Sequence, residues 1–282
     1  MMPFELHNCE NLLAPVLLSV PHAGRLYSRD ILDNLAVPSH HLMRLEDRYA
    51  DRLASLVIAE GFPVIIATQP RALIDLNRAP SDVDPAMVEG LDKTNYPALS
   101  AKVRGGLGLV PRRLNGAGEL WQRRWSMENI DQRVADIHEP YHAKISGTLA
   151  SLHAKFGVAA LIDLHSMPPL SSHPDNIDIV VGDRFGRSVT SVVTELTVGY
   201  FEQLDMTAKV NHPYAGGYVL DRHSSPAAGI HALQIEVDRS LYLDSQLREP
   251  SAGAIKMARV IADLCAMLSE YLSDKNQLIA AE

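Results

Sequence analysis

The sequence predicts a three-layer α/β/α fold on a central mixed sheet. Two observations carry the prediction. Short apolar runs rich in β-branched residues recur along the chain, and longer helical patterns separate them. Two of those runs also stop abruptly in polar residues. Val158–Ile162 runs into Asp163, His165 and Ser166 and then two prolines, and Pro15–Val20 runs into Pro21-His22-Ala23-Gly24-Arg25. The carboxyl ends of buried strands are where open α/β sheets place their chemistry.

The strand candidates, in order, are Val16–Val20, Val64–Thr68, Val158–Leu164, Ile177–Gly182, Thr207–Val210 and Ile230–Val237. The helical patterns are Leu42–Glu60, Asn129–Lys155, Ser188–Gln203 and Ala252–Leu272. No internal repeat or low-complexity linker divides the chain, so residues 1–282 read as a single domain. Ser81–Trp125 stands apart, with Gly105, Gly106, Gly108, Gly116, Gly118 and five arginines. It reads as a long loop excursion of the lid or binding type, in competition with a disordered insertion.

Composition narrows the function. The chain has 282 residues, 46% hydrophobic and 21% charged, an ordinary soluble profile. A net charge of −8 argues against non-specific nucleic-acid binding. Cys9 and Cys265 are the only cysteines, so neither a disulfide framework nor a cysteine-zinc site is expected. No leader pattern opens the chain and no apolar run approaches the ~18 residues of a membrane span. A cytoplasmic setting is the expectation, with no membrane partner and the oligomeric state open.

His22 and His165, at the ends of two buried strands, supply two imidazoles for one metal, and zinc favours imidazole with carboxylate oxygen. Glu46 and Asp47, early in the predicted Leu42–Glu60 helix, are the candidates for a third ligand. Glu46 flanks the stripe Leu42, Leu45, Tyr49, Leu53, Leu56, and Asp47 lies further round, so the helical wheel does not choose between them. The competing explanation is an acid at a helix start, held by the dipole without any metal.

Three further stretches carry chemistry. In Arg71–Arg78, polar groups bracket a short apolar strand, and Asn77 beside Arg78 suits a substrate carboxylate, since arginine binds carboxylates in a planar bidentate fork. A surface ion pair of Arg78 with Asp75 or Asp82 competes. In Leu233–Arg239, alternation puts Gln234, Glu236 and Asp238 on one strand face, and a carboxylate there can act as general base. A solvated edge strand competes. Asn211–Tyr218 places Gly216 and Gly217 beside Tyr214, a turn that lets backbone approach a ligand. His138-Glu139-Pro140-Tyr141-His142 matches the H-E-x-x-H pattern of zinc proteases, but Pro140 disfavours a continuous helix through it. It is better read as the first residue of a helix running to Lys155, with His138 outside.

Taken together these motifs resemble the N-formylglutamate amidohydrolase family. The matching residues are Ser19–Gly24, Asp47 with Asp51, Arg71–Arg78, Gly106–Arg112, Pro140-Tyr141-His142, Ile162–Pro168, Asn211–Tyr218 and Gln234–Tyr242. That family is in turn similar to zinc carboxypeptidases, which implies their phosphorylase/hydrolase-like fold and a metallohydrolase domain, except that their acidic ligand three residues after the first histidine is Arg25 here. The resemblance implies His22, Asp47 and His165 on one divalent metal, zinc, with Glu236 as base. It implies Asn77 and Arg78 on a substrate carboxylate and Arg71 at the scissile carbonyl, with Tyr214, Gly216 and Gly217 lining the substrate. The implied reaction is metal-dependent cleavage of a small N-acyl amino acid, N-formylglutamate to formate and glutamate. A carboxypeptidase-like peptidase, an amidase for another N-acyl amino acid, and a non-catalytic binding protein on the same scaffold are the alternatives.

Overall fold

The computed structural model describes residues 2–91, 99–170 and 176–280, so residues 92–98 of the Ser81–Trp125 excursion lie outside the description. Nine strands are described: β1 Phe4–His7, β2 Val16–Val20, β3 Val64–Ala67, β4 Arg113–Leu114, β5 Gly118–Glu119, β6 Ala159–Met167, β7 Ile179–Gly182, β8 Ala208–Val210 and β9 Ile230–Asp238. Seven of them form one mixed sheet in the order β1-β3-β2-β6-β9-β7-β8, and β4 and β5 form a separate hairpin. β3, β2, β6 and β9 run parallel, whereas β1 and β7 are antiparallel to their neighbours β3 and β9. The helices are α1 Arg29–Asp33, α2 Ala50–Leu53, α3 Ser55–Ala59, α4 Ala101–Arg104, α5 Met127–Arg133, α6 Glu139–Phe156, α7 Ser191–Glu202, α8 Tyr218–His223 and α9 Gly253–Ala280. They cover both faces of the sheet, the layered α/β arrangement expected.

Strand periodicity divides the core in two. Val16, Leu18, Val20, Ala160, Ile162, Leu164, Leu233, Ile235 and Val237 face the side covered by α2, α3, α7 and α9. Leu17, Ile65, Ala159, Leu161 and Ala232 face the side covered by α6 and the 72–125 segment. Continuing the second parity along β6 and β9 turns it from apolar to polar. Ala159 and Leu161 give way to Asp163 and His165, and Ala232 to Gln234 and Glu236. All four polar residues are buried. β9 lies between β6 and β7, which removes the edge-strand explanation for its polar face.

Three sequence expectations are corrected. Leu42–Glu60 is not one helix: a 3-10 turn spans Ser39–Arg44, and α2 begins only after Tyr49, which sits in the left-handed region at φ 58°. The leucine stripe was misleading because it serves two cores. Leu42 and Leu45 belong to the α6 side of the sheet and Leu53 to the opposite side. Arg71–Arg78 contains no strand; it is a turn-rich loop. Finally, His138 lies inside a continuous helical run from Met127 to Phe156. A π-helical turn at Val134–His138 accommodates Pro140 on the next turn. A proline lacks the amide hydrogen and crowds the preceding turn, and a π turn widens the backbone where that strain would fall.

The 81–125 segment, within its described residues, is packed rather than loose. Leu109, Leu120, Trp121 and Trp125 are buried, and Trp121 and Trp125 meet edge to face at 5.5 Å. The Trp121 indole donates to Pro111 O at 2.7 Å.

Candidate metal centre and substrate cavity

The two predicted histidines converge on one carboxylate oxygen. Asp47 Oδ2 lies 2.8 Å from His165 Nδ1 and 3.2 Å from His22 Nδ1. One ligand atom from each of His22, Asp47 and His165 lies within 4.8 Å of the others, and all three residues are buried. Two imidazole nitrogens and one carboxylate oxygen at this separation fit a divalent cation with a coordination position left open. Glu46 is excluded as the third ligand. Its oxygens take Tyr27 Oη at 2.6 Å and Arg48 Nη1 at 2.9 Å.

The far nitrogens of both imidazoles are held by buried acids. His22 Nε2 lies 2.8 Å from Asp75 Oδ1, and His165 Nε2 lies 2.8 Å from Asp163 Oδ2. A carboxylate accepts only, so each Nε2 donates to its acid, and each Nδ1 is the nitrogen that, once it gives up its own hydrogen, would turn a lone pair to a cation beside Asp47. That carboxylate–histidine pairing is what orients metal-binding imidazoles. Asp163 is fixed by Ser19 Oγ at 2.9 Å, itself 2.8 Å from Tyr141 Oη on α6. Asp75 is fixed by the Asn77 amide at 2.9 Å and Arg71 Nε at 2.9 Å. Arg239 reaches Glu46 O and, at 3.4 Å, Asp47 Oδ1.

The electrostatics follow from burial and these partners. Burial opposes the Asp47 charge, but hydrogen bonds from His165 and His22 outweigh it and hold the carboxyl well below its ordinary range. Burial likewise opposes an imidazolium at His165, and Asp163 and Asp47 override it and push the group well up. Glu236 moves the other way. Burial raises its pKa, with Asp47 adding to the rise while His165 and Arg71 offset part of it.

A cavity of about 410 Å³ opens over this cluster. Every sequence-predicted site residue lines it: His22, Asp47 and His165, then Arg71, Asn77, Arg78, Tyr214, Gly216, Gly217 and Glu236. Glu236 stands opposite His165 in the β6–β9 register and accepts from Gln234 Nε2 at 2.8 Å. Asp238, on the same parity, instead caps the following turn through Ser240. The ion pair of Arg78 with Asp75 is present but is not a surface one: Arg78 Nε lies 4.0 Å from Asp75 Oδ2, and Asp75 is fully buried and bonds Arg71. Arg78 Nε and Nη1 donate to Leu107 O and Asn77 O at 2.9 and 2.8 Å. Asn77 is largely committed: its Oδ1 accepts from the Val219 amide at 3.0 Å and its Nδ2 donates to Gln234 Oε1 at 3.1 Å. Gly217 makes that possible, since a Cβ there would stand 2.4 Å from Asn77 Oδ1.

Sequence reasoning missed Arg44, Lys102, Arg184 and Arg239, which also line the cavity. Isolated basic residues far apart in the chain give no local signal. It missed the supporting role of Asp75 and Tyr141 for the same reason. The H-E-x-x-H histidines do not join the metal cluster. His142 Nε2 lies 2.9 Å from Leu76 O and His138 Nε2 lies 2.9 Å from Arg78 O.

This combination defines a class: an α/β protein with a divalent-metal-competent cluster at the carboxyl ends of its central strands, beneath a cation-lined cavity. Comparison with known proteins narrows it. The chain belongs to the N-formylglutamate amidohydrolase family, whose sequence profile matches residues 14–243. It is 30% identical over 237 residues to the N-formylglutamate deformylase of Pseudomonas putida, covering 82% of each chain. It is 28% identical over 247 residues to the N-formylglutamate deformylase of Pseudomonas aeruginosa, covering 82% of this chain and 83% of the relative. The crystal structure of N-formylglutamate amidohydrolase from Ralstonia eutropha JMP134 superimposes with a TM-score of 0.88 at 29% identity, over 98% of this chain and 100% of that one.

Proposed function

We propose that this chain is a divalent-metal-dependent amidohydrolase that cleaves N-formylglutamate to formate and glutamate. The observation that carries the metal part is the convergence of His22 Nδ1 and His165 Nδ1 on Asp47 Oδ2, with a buried acid behind each ring. The relatives named above supply the substrate. Two imidazoles and a carboxylate suit zinc. Both cysteines are free, which suits a reducing, cytoplasmic setting.

A bound cation of this kind lowers the pKa of water and polarises an amide carbonyl. The remaining chemistry belongs to the chain. Glu236, its pKa raised by burial, is poised to take a proton from the attacking water and return it to the departing nitrogen. Arg71 is held by Asp75 through Nε and lines the cavity, where its guanidinium would meet the developing oxyanion. Arg78 and the remaining amide hydrogen of Asn77 hold the substrate carboxylate, and Tyr214, Gly216 and Gly217 complete the lining of the cavity. A cavity of about 410 Å³ is the size of a small-molecule site.

The test is a panel of formyl-, acetyl- and succinyl-amino acids offered to chelator-treated protein and to the same protein after zinc is restored. Turnover of N-formylglutamate that is lost on chelation and regained with zinc is expected. Equal activity in the chelated protein would remove the metal from the mechanism, and preference for another acyl group would change the substrate.

A further inference from the structure

His138, His142 and His223 are buried, and the function proposed above uses none of them. Their partners fix their hydrogens. Leu76 O only accepts, so His142 Nε2 donates to it at 2.9 Å and His142 Nδ1 is an acceptor. His223 Nε2 donates to that Nδ1 at 2.8 Å, and His223 Nδ1 accepts from Ser146 Oγ at 3.2 Å. His138 Nε2 donates to Arg78 O at 2.9 Å. One helical run therefore holds the carbonyls on either side of Asn77, from histidines at i and i+4 that share a helix face. Arg133, further back on the same run, donates to Leu73 O at 2.8 Å. In a strand these carbonyls would meet a neighbouring strand. Here side chains hold the loop instead.

We infer that the Ser146–His223–His142 relay, together with His138, positions the Asn77–Arg78 clamp on the substrate carboxylate. The inference rests on the amidohydrolase reading. The same helix serves the other half of the site through Tyr141, Ser19 and Asp163, so the clamp and the metal ligands are registered to one rigid element. Releasing Leu76 O frees the loop that carries the clamp, and displacements near 1 Å cost on the order of 10²-fold in such sites. These histidines are positioning residues, distinct from the ligands and the base.

The experiment uses full-length, zinc-loaded protein and the variants His142→Leu, His142→Gln and Ser146→Ala. It reads kcat and KM on N-formylglutamate, zinc content, and glutarate affinity by calorimetry. His142→Leu should raise KM by about tenfold or more and weaken glutarate to match, with kcat little changed and zinc retained. His142→Gln keeps a donor for Leu76 O and should recover most of the loss. Ser146→Ala should give a smaller rise of the same kind. A lower melting temperature with KM and glutarate affinity unchanged would make the relay merely structural and overturn the inference. If His142→Leu does not fold, a parental KM in Ser146→Ala overturns it. A parent that does not turn over N-formylglutamate refutes the amidohydrolase reading instead. Glutarate affinity then decides the clamp, and failure of the parent to bind glutarate overturns that as well.

Discussion

His22 Nε2 lies 2.8 Å from Asp75 Oδ1, while the other oxygen of that carboxylate holds Arg71 Nε at 2.9 Å. One fully buried acid thus aims a candidate metal ligand and the candidate oxyanion arginine at once. Burial disfavours its charge, but Arg71, His22 and Arg78 hold its pKa well below the ordinary range. Asp75→Asn keeps the shape and removes the charge. Zinc affinity should fall by about 10–100-fold, the usual effect of losing an acid behind a ligand histidine. Competition with a chromophoric chelator measures it, and parental affinity would refute the role. Asp163→Asn should act similarly through His165.

Glu236→Gln should lower turnover by ~10²–10⁴-fold, because a general base contributes about that much. The variant keeps its shape, so zinc content should stay near one per chain. Thermal stability should hold or rise, since a buried carboxylate beside Asp47 is unfavourable. Asp238→Asn is the control on the same strand parity, away from the cavity. If that control loses more activity than Glu236→Gln, the base is misassigned.

Lys102 lines the cavity near Arg78 and Arg71, and partial burial with those two charges lowers its pKa. Among the described residues its side-chain ammonium has no hydrogen-bond or ion-pair partner. We predict that it meets the side-chain carboxylate of the substrate. Lys102→Ala should reduce kcat/KM on N-formylglutamate by about tenfold, a modest value because Lys102 sits at the exposed rim. N-formylleucine, which lacks that carboxylate, should be hydrolysed as by the parent. Equal losses on both substrates would deny Lys102 any part in selectivity.

The sequence exposed those features whose cause is local. Apolar runs mark β2, β3, β6, β7 and β9 within a few residues, because burial on both faces demands continuous hydrophobicity, and the short edge strand β8 falls within its predicted span without being buried. β1 escaped notice: it is a four-residue edge strand with only Phe4 fully buried. His22, His165 and Glu236 were legible since polar residues at the ends of buried strands break an otherwise apolar pattern. Asp47 was not separable from Glu46 on a helical wheel, because the backbone there is not helical. The left-handed Tyr49 and the bond from Asp47 N to His22 O, at 3.0 Å, turn Asp47 rather than Glu46 into the site. Loop 71–78 resembled a strand because Ile74 and Leu76 are buried, yet its carbonyls are satisfied by Arg133, His138 and His142. That long-range pairing leaves no periodic trace in the chain.

The histidine relay also makes a pH prediction. Burial, with His138, His223 and Arg222 adding to it, lowers His142 to about 2, and burial with Arg222 and His138 lowers His223 to about 3. In the unfolded chain each titrates near ~6.5. As pH falls below that value the unfolded state takes up protons that the folded relay refuses, so the contribution is complete above ~6.5 and is lost progressively toward pH 3. Protonating either ring would also set two N–H groups against each other across the 2.8 Å His142–His223 contact. Between pH 7 and pH 5 each histidine should withdraw about 2 kcal/mol of stability, by the same linkage. Urea unfolding of zinc-free parent and His223→Gln protein at both pH values measures it. The variant will start less stable, but its loss between pH 7 and pH 5 should be smaller by about 2 kcal/mol. Identical losses in the two proteins would mean that His223 is protonated in the folded state and that the relay is not the neutral chain its geometry requires.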